Sequence, residues 1–233
     1  MATHLDLEEQ EQLDRLKAFW AQYGNLITTL AIVVFGSIAA WNGWQWYQRE
    51  QAAKAGALYD ELDRAAQAVD AEKTARVFAD LKDRYPRTAF AQQAGLLAAQ
   101  VQADKGDKAG ARASLEWVAG NAVEEEYRVI ARLRLAGLLA DEKQYDAALK
   151  LLDGIEAKAF EALVADRRGD ILMVQGKRDE AKAAYRKAWD SMKPEIEYRR
   201  LVEAKLTALG AAPAEPPAPA VQAASAPAAG ASK

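Results

Sequence analysis

The sequence predicts an all-α protein in which one N-terminal transmembrane helix is followed by an α-solenoid of about three to four helix pairs and a C-terminal capping helix. Three observations support this prediction. Ala, Leu, Glu, Lys and Arg, which favour helices, dominate the 233 residues. One uncharged stretch is long enough to cross a bilayer. Downstream of it, a pattern of small and large residues recurs with a period of about 34 residues.

The composition narrows the chemistry that the chain can carry. Cys is absent and His occurs once, at His4, which excludes disulfides and thiolate metal sites and argues against Cys or His catalysis. The net charge of −3 and the absence of a Lys/Arg run predict no nucleic-acid partner. The sequence contains no Walker A, G-x-G-x-x-G, H-E-x-x-H or G-x-S-x-G motif. We therefore predict a protein that is not an enzyme and has no cofactor or metal, although an oxygen-only cation site among its many carboxylates stays open.

Residues 24–48 form the predicted transmembrane helix. They contain no charged side chain, and roughly 20 residues suffice to cross a hydrocarbon core of about 30 Å. Aromatic residues flank the apolar stretch on both sides, as they do at the headgroup level of a bilayer. A buried core helix is the weaker alternative. Because an acidic segment, residues 1–23, precedes the stretch, we expect an uncleaved signal anchor and not a cleaved signal peptide.

The charges that flank this helix leave its orientation open. Arg15 and Lys17 precede it, whereas Arg49, Lys54 and Arg64 follow it at a comparable distance, so the positive-inside rule does not decide.

Two further patterns lie in the membrane region. Residues 1–23 carry apolar side chains at helical spacing, which indicates an amphipathic helix that is either interfacial or a plain extension of the span. Gly36, Ala40 and Gly43 fall on one face of the span, where small residues let another helix approach closely. A homodimer through the membrane helix is one packing that this face would permit.

Residues 49–210 carry the repeats, and the last repeat is the clearest. It spaces small and large residues as the tetratricopeptide repeat (TPR) does, at Gly169, Leu172, Ala181, Tyr185 and Ala188. The small residues let the two helices of a repeat pack closely, and the large ones fill the space between repeats.

Earlier repeats follow the same spacing less closely. The alanine that anchors the second helix recurs at Ala111, Ala148 and Ala181, and a still earlier helix pair is predicted between residues 58 and 81. An amphipathic helix over residues 195–209 is predicted to cap the stack. Its expected inner face is Ile196, Leu201, Val202, Leu206 and Leu209. Residues 211–233 are rich in Ala and Pro and are predicted to be disordered.

The first helices of TPR repeats line a concave groove, which is the candidate site for an extended or helical partner peptide. The residues predicted to line it are Leu96, Gln100, Ile130, Leu133, Gly137, Leu163, Asp166, Asp170 and Met173. This surface is mostly apolar, with two carboxylates at one end. The alternative is that its outermost members only pack against the cap or against the first helices.

At this point the chain resembles a known family. The likeness is closest over residues 131–153, 162–169 and 175–182. In the stretch from Leu163 to Gly169 it extends to residues that the general TPR pattern does not specify. With the acidic N-terminal segment and the Trp-rich end of the apolar helix, this layout is similar to that of the YfgM family, ancillary subunits of the bacterial Sec translocon. The resemblance covers roughly residues 8–209.

The resemblance implies a single-pass protein of the bacterial inner membrane, with a cytoplasmic N-terminus and a periplasmic TPR domain. It implies two partners besides the lipid bilayer: the Sec translocon channel and a membrane-anchored periplasmic chaperone, with unfolded secretory proteins as clients. It carries over no catalytic residue. The same architecture would also suit an envelope scaffold for another machine, such as cell division or outer-membrane protein assembly.

Overall fold

A computed structural model describes residues 7–213 of the chain, with side chains from residue 10 onward. Every regular element within this range is helical, which confirms the all-α prediction. His4 and residues 214–233 of the predicted tail lie outside the described residues. The chain forms two compact units, with the boundary between Ala94 and Gly95.

The first unit is built on α1, a single helix that runs from Leu7 to Gln67. At about 1.5 Å per residue, 61 helical residues extend for roughly 90 Å. Its apolar middle is exposed, with Ile32 67% and Phe35 70% accessible, so α1 is not a buried core helix. It is the one helix among the described residues that is long and apolar enough to cross a membrane.

Three polar side chains in the apolar part of α1 bond to the helix itself. The Thr29 and Ser37 hydroxyls each donate to the carbonyl four residues earlier, both at 2.7 Å, and the Asn42 amide does so at 3.0 Å. Polar groups left unpaired in hydrocarbon cost several kcal/mol. These local bonds therefore suit a helix that is surrounded by lipid.

The last turns of α1 pack against α2 (Ala71–Arg84). Leu62 from α1 and Leu81 from α2 are fully buried, which confirms the early helix pair predicted between residues 58 and 81. Asp70 caps α2, because its carboxylate accepts a hydrogen bond from the Lys73 amide at 3.0 Å.

The remaining helices continue as pairs. Their bounds are α3 Ala89–Asp104, α4 Lys108–Asn121, α5 Glu125–Asp141, α6 Tyr145–Asp153, α7 Glu161–Val174, α8 Arg178–Ser191 and α9 Tyr198–Ala208, with a 3-10 turn at Lys158–Phe160. The second unit begins within α3 at Gly95. The three anchor residues Ala111, Ala148 and Ala181 are all buried. The α3–α4, α5–α6 and α7–α8 pairs are thus the predicted repeats.

The capping helix differs from its prediction in length and in one part of its face. It begins at Tyr198, because residues 192–197 are not helical, and Gly210, with a positive φ of 68°, follows its C-terminal end. Val202 and Leu206 are fully buried, but Ile196 and Leu201 are 46% and 48% exposed, so their placement on the inner face was wrong. Leu201 lies about 100° around the helix from Val202, outside the buried stripe.

Candidate binding groove

The nine predicted groove residues lie on the first helices of the three pairs. Leu96 and Gln100 come from α3, Ile130, Leu133 and Gly137 from α5, and Leu163, Asp166, Asp170 and Met173 from α7. The structure brings Gln100 and Gly137 together in the wall of one cavity of about 330 Å³ in the second unit. We call this cavity the groove pocket. Its lining residues are Ala99, Gln100, Ala103, Ala111, Leu115, Arg134, Gly137, Leu138, Asp141 and Arg167.

The groove pocket combines an apolar floor with two guanidinium groups. Arg134 donates from Nη1 to the Leu96 carbonyl oxygen at 3.2 Å, which fixes its side chain across the gap between α5 and α3. Arg167 reaches over Gly137, where a built Cβ would lie 3.4 Å from its Nη1. With Asp141, the charged lining carries a net charge of +1. The pocket can therefore accept an apolar side chain beside a hydrogen-bond acceptor or a carboxylate.

Sequence reasoning missed the two arginines, although a signal was available. Arg134 and Arg167 each stand two residues before the small residue that marks the first helix, Ala136 in one repeat and Gly169 in the next. They therefore occupy equivalent places in neighbouring repeats. Including this repeat position among those that line the groove would have identified both arginines.

Other predicted groove residues contribute little accessible surface. Leu96 and Leu133 are each 8% exposed and belong to the apolar core that joins α3 to α7. Ile130 is half-buried against the same core, and Met173 packs against the cluster formed by α7, α8 and α9. Leu163 is the exposed member of the apolar set. These side chains support the groove more than they present a surface to a partner.

The two carboxylates predicted at the end of the groove are bound by α8 and α9. Lys205 Nζ lies 2.8 and 2.9 Å from the two oxygens of Asp166 and 2.7 Å from Asp170 Oδ1. The Tyr198 hydroxyl donates to Asp166 Oδ2 at 2.6 Å, and the Tyr185 hydroxyl donates to Asp170 Oδ1 at 2.8 Å. We call these five residues the cap cluster. Both carboxylates therefore contact the capping helix, and their use by a partner stays a prediction.

The cap cluster keeps its tyrosines protonated. Burial, followed by the hydrogen bond to Asp170, raises the pKa of Tyr185 well above its ordinary value of 10.0. Burial and the hydrogen bond to Asp166 raise the pKa of Tyr198 in the same direction. A tyrosine whose pKa is higher in the folded chain than in the unfolded chain stabilises the fold at every pH below the unfolded pKa. This contribution is therefore complete at neutral pH and is lost only at pH above about 10.

The predicted helix-packing face of the membrane region is open in the structure. A Cβ built on Gly36 or Gly43 would meet no atom within 4 Å, and Ala40 is exposed beside them. A second helix could approach this face, and its use for packing stays a prediction.

Comparison with known proteins places the chain in a family. A family model described as a tetratricopeptide repeat-like domain matches residues 17–211. A protein of Neisseria gonorrhoeae called "Ancillary SecYEG translocon subunit" is 30% identical over 213 residues, which cover 90% of this chain and all of that protein. The chain belongs to the family of ancillary SecYEG translocon subunits.

Further members of this family bear the same name. The protein of Haemophilus influenzae is 30% identical over 79% of this chain and 90% of its own length, and that of Escherichia coli is 30% identical over 76% and 85%. The family membership confirms the resemblance found in the sequence. A solved structure, the "MamA RS-1 ArsTM double mutant", is 17% identical with a TM-score of 0.47 over 67% of this chain and 94% of that one, too remote to support a conclusion.

Proposed function

We propose that this chain is a membrane-tethered TPR interaction module that associates with the Sec translocon and helps to pass newly translocated proteins to periplasmic chaperones. The observation that supports this most is the near full-length match to relatives named as translocon subunits. The chain also joins TPR-type repeats to one helix that, among the described residues, is long and apolar enough to span a membrane. The proposal places the N-terminus in the cytoplasm and the repeats in the periplasm of a bacterial inner membrane. The protein acts by binding and not as an enzyme.

Tethering explains how weak binding would suffice for this role. A domain held at the membrane meets its partners there at a high effective concentration, so a modest groove affinity still gives appreciable occupancy. The groove pocket is open and mixes apolar and charged groups, and its 330 Å³ fits side chains of an extended segment rather than a folded domain. Emerging unfolded chains expose segments of this kind.

Affinity purification of the full-length protein from membranes solubilised in mild detergent tests this function. We expect mass spectrometry to find the translocon channel together with a membrane-anchored periplasmic chaperone. Exchanging residues 24–48 for an unrelated span, or deleting the repeats, will show which part each partner contacts. Recovery of cell-division or outer-membrane assembly proteins in place of the channel would contradict the proposal and indicate an envelope scaffold.

Filling the groove pocket should weaken the binding of clients. Gly137→Phe places a ring in the cavity, and we expect the Kd for a fluorescent unfolded secretory segment to rise about tenfold, which corresponds to about 1.4 kcal/mol. The control is Gly120→Phe, since a Cβ on Gly120 meets no atom within 4 Å and this residue lies outside the pocket lining. Fluorescence anisotropy with the full-length protein in detergent measures both. Equal affinity of the two variants, with unchanged melting temperatures, would exclude the pocket as the client site.

A further inference from the structure

The charges of α1 beyond the predicted span, of α2 and of the turn after α2 are unevenly distributed. Residues 49–56 and 80–88 contain the cations Arg49, Lys54, Lys82, Arg84 and Arg87 and the carboxylates Glu50, Asp80 and Asp83, a net charge of +2. Residues 57–77 contain five carboxylates and three cations, a net charge of −2. The basic residues lie in two stretches of the chain, one on each side of the acidic stretch. Whether they form one basic surface depends on how α1 and α2 pack.

Contacts between the helices place the basic group at one end of the unit. Lys73 of α2 pairs with Glu61 of α1 at 3.2 Å. From Lys73 to Arg84, α2 runs back along α1 for eleven residues, about 16 Å, which brings Arg84 level with residue 50. Phe90, at the start of α3, contacts Tyr59 with ring centroids 5.7 Å apart. After α2 the chain has therefore turned back toward the C-terminal end of α1. The turn at residues 85–88 is thus the part of the α2–α3 connection that lies closest to the predicted span.

The groups that influence the pKa of Lys54 agree with this alignment of α2 along α1. Its pKa is raised, first by its hydrogen bond with Glu50, while the nearby Arg84 opposes that rise. Arg84 and Tyr85 therefore lie close enough to Lys54 to influence it. Arg84, Arg87 and Arg49 are exposed, and Lys82 is partly exposed.

The basic end lies next to the predicted membrane surface. Because α1 is one unbroken helix, Lys54 stands only six residues, about 9 Å, beyond Gln48, the last residue of the predicted span. The headgroup layer on each side of a bilayer is roughly 5–8 Å thick. Arg and Lys side chains at this height reach it, and Trp44 and Tyr47, in ring contact at 6.2 Å, mark the interface just below.

We propose that the basic end of the first unit, formed by Arg49, Lys54, Lys82, Arg84 and Arg87, binds the anionic phospholipid headgroups of the leaflet from which α1 emerges. A Lys or Arg near an anionic surface is attracted to it, whereas the acidic far end of the unit is repelled. Headgroup binding thus holds the C-terminal end of α2 at the membrane surface and fixes the angle between the last turns of α1 and the membrane. The proposal depends on the membrane insertion of α1 in the proposed function.

The absence of Cys allows a direct test with the full-length protein. Ala89→Cys, exposed beside the turn, carries a donor dye in nanodiscs of phosphatidylcholine with a minor share of phosphatidylglycerol. Acceptor dyes are placed on the tails of either lipid at equal mole fraction. We expect energy transfer to phosphatidylglycerol to exceed that to phosphatidylcholine by about twofold or more, and high salt to reduce the difference.

Charge reversal identifies the residues responsible. Arg84→Glu with Arg87→Glu should abolish the preference for phosphatidylglycerol. Arg64→Glu with Arg76→Glu makes the same charge change on exposed residues of the acidic end and should keep it. Equal transfer to both lipids in the parent protein, or a preference that survives the first double variant, would overturn the proposal. Release of the chain from membranes by alkaline extraction would refute insertion itself, so the two failures are distinguishable.

Discussion

Lys205→Met will loosen the cap of the repeats and lower the stability of α9 and its contacts by about 3 kcal/mol. Removing one partner of a buried ion pair costs roughly 3–5 kcal/mol, because the remaining charge stays buried without compensation. Here Asp166 is 3% exposed in its side chain and Lys205 is 22% exposed, so the lower end of that range applies. Tyr198 remains as a donor to Asp166, and the Arg199 guanidinium still stacks on Trp189 at 3.7 Å. We therefore expect local opening of α9 and not global unfolding.

Hydrogen exchange of the full-length protein measures this effect helix by helix. Amides of α9 and of the facing turns of α7 should exchange faster in Lys205→Met, while those of α2 keep their parent rates. Lys187→Met is the matched control. Lys187 also pairs with an α7 carboxylate, Glu161, at 3.0 Å, but both side chains are largely exposed, so its loss costs at most about 1 kcal/mol. Similar protection in the two variants would show that the cap cluster does not hold α9.

The cap cluster also shows where sequence reasoning reached its limit. The repeat pattern placed Asp166 and Asp170 correctly on the first helix of their repeat, since that follows from spacing alone. It could not show that Lys205, 39 residues further along, would neutralise Asp166, because that contact depends on the angle at which α9 docks. The same docking angle decides that Val202 is buried and Leu201 exposed, although both are apolar and adjacent.

The amphipathic segment was predicted to continue into the span, and the structure carries the same helix on past the span to Gln67. The sequence contains no Pro before Pro86 and no helix-stopping turn between residues 48 and 49, so nothing ends the helix at the membrane surface. The change from apolar to polar residues predicts where the membrane-embedded part of the helix ends, but it does not interrupt the backbone hydrogen bonds of the helix. The limits 24–48 thus stay a prediction about the bilayer, which a continuous α1 neither supports nor contradicts.

The other large effect is expected at Gly169, in the repeat that the sequence identified most clearly. A Cβ built there would lie less than 3.0 Å from three ring atoms of Tyr185, a distance that real Cβ contacts essentially never show. The ring has little freedom to move away, because Tyr185 is only 3% exposed and its hydroxyl donates to Asp170. We expect Gly169→Ala to destabilise the α7–α8 pair by about 1–3 kcal/mol, as overpacking does.

The prediction is sharp because Ala ordinarily stabilises a helix relative to Gly. Gly120→Ala, in α4 with open space around it, should gain up to about 1 kcal/mol, so the two identical changes should differ in sign. Hydrogen exchange and urea unfolding of the full-length protein compare them. In a Tyr185→Ala background, Gly169→Ala should lose its cost, since the ring that it strikes is gone. A penalty that persists there would place the strain elsewhere, and the close approach of α7 to α8 would then not explain why this position is glycine.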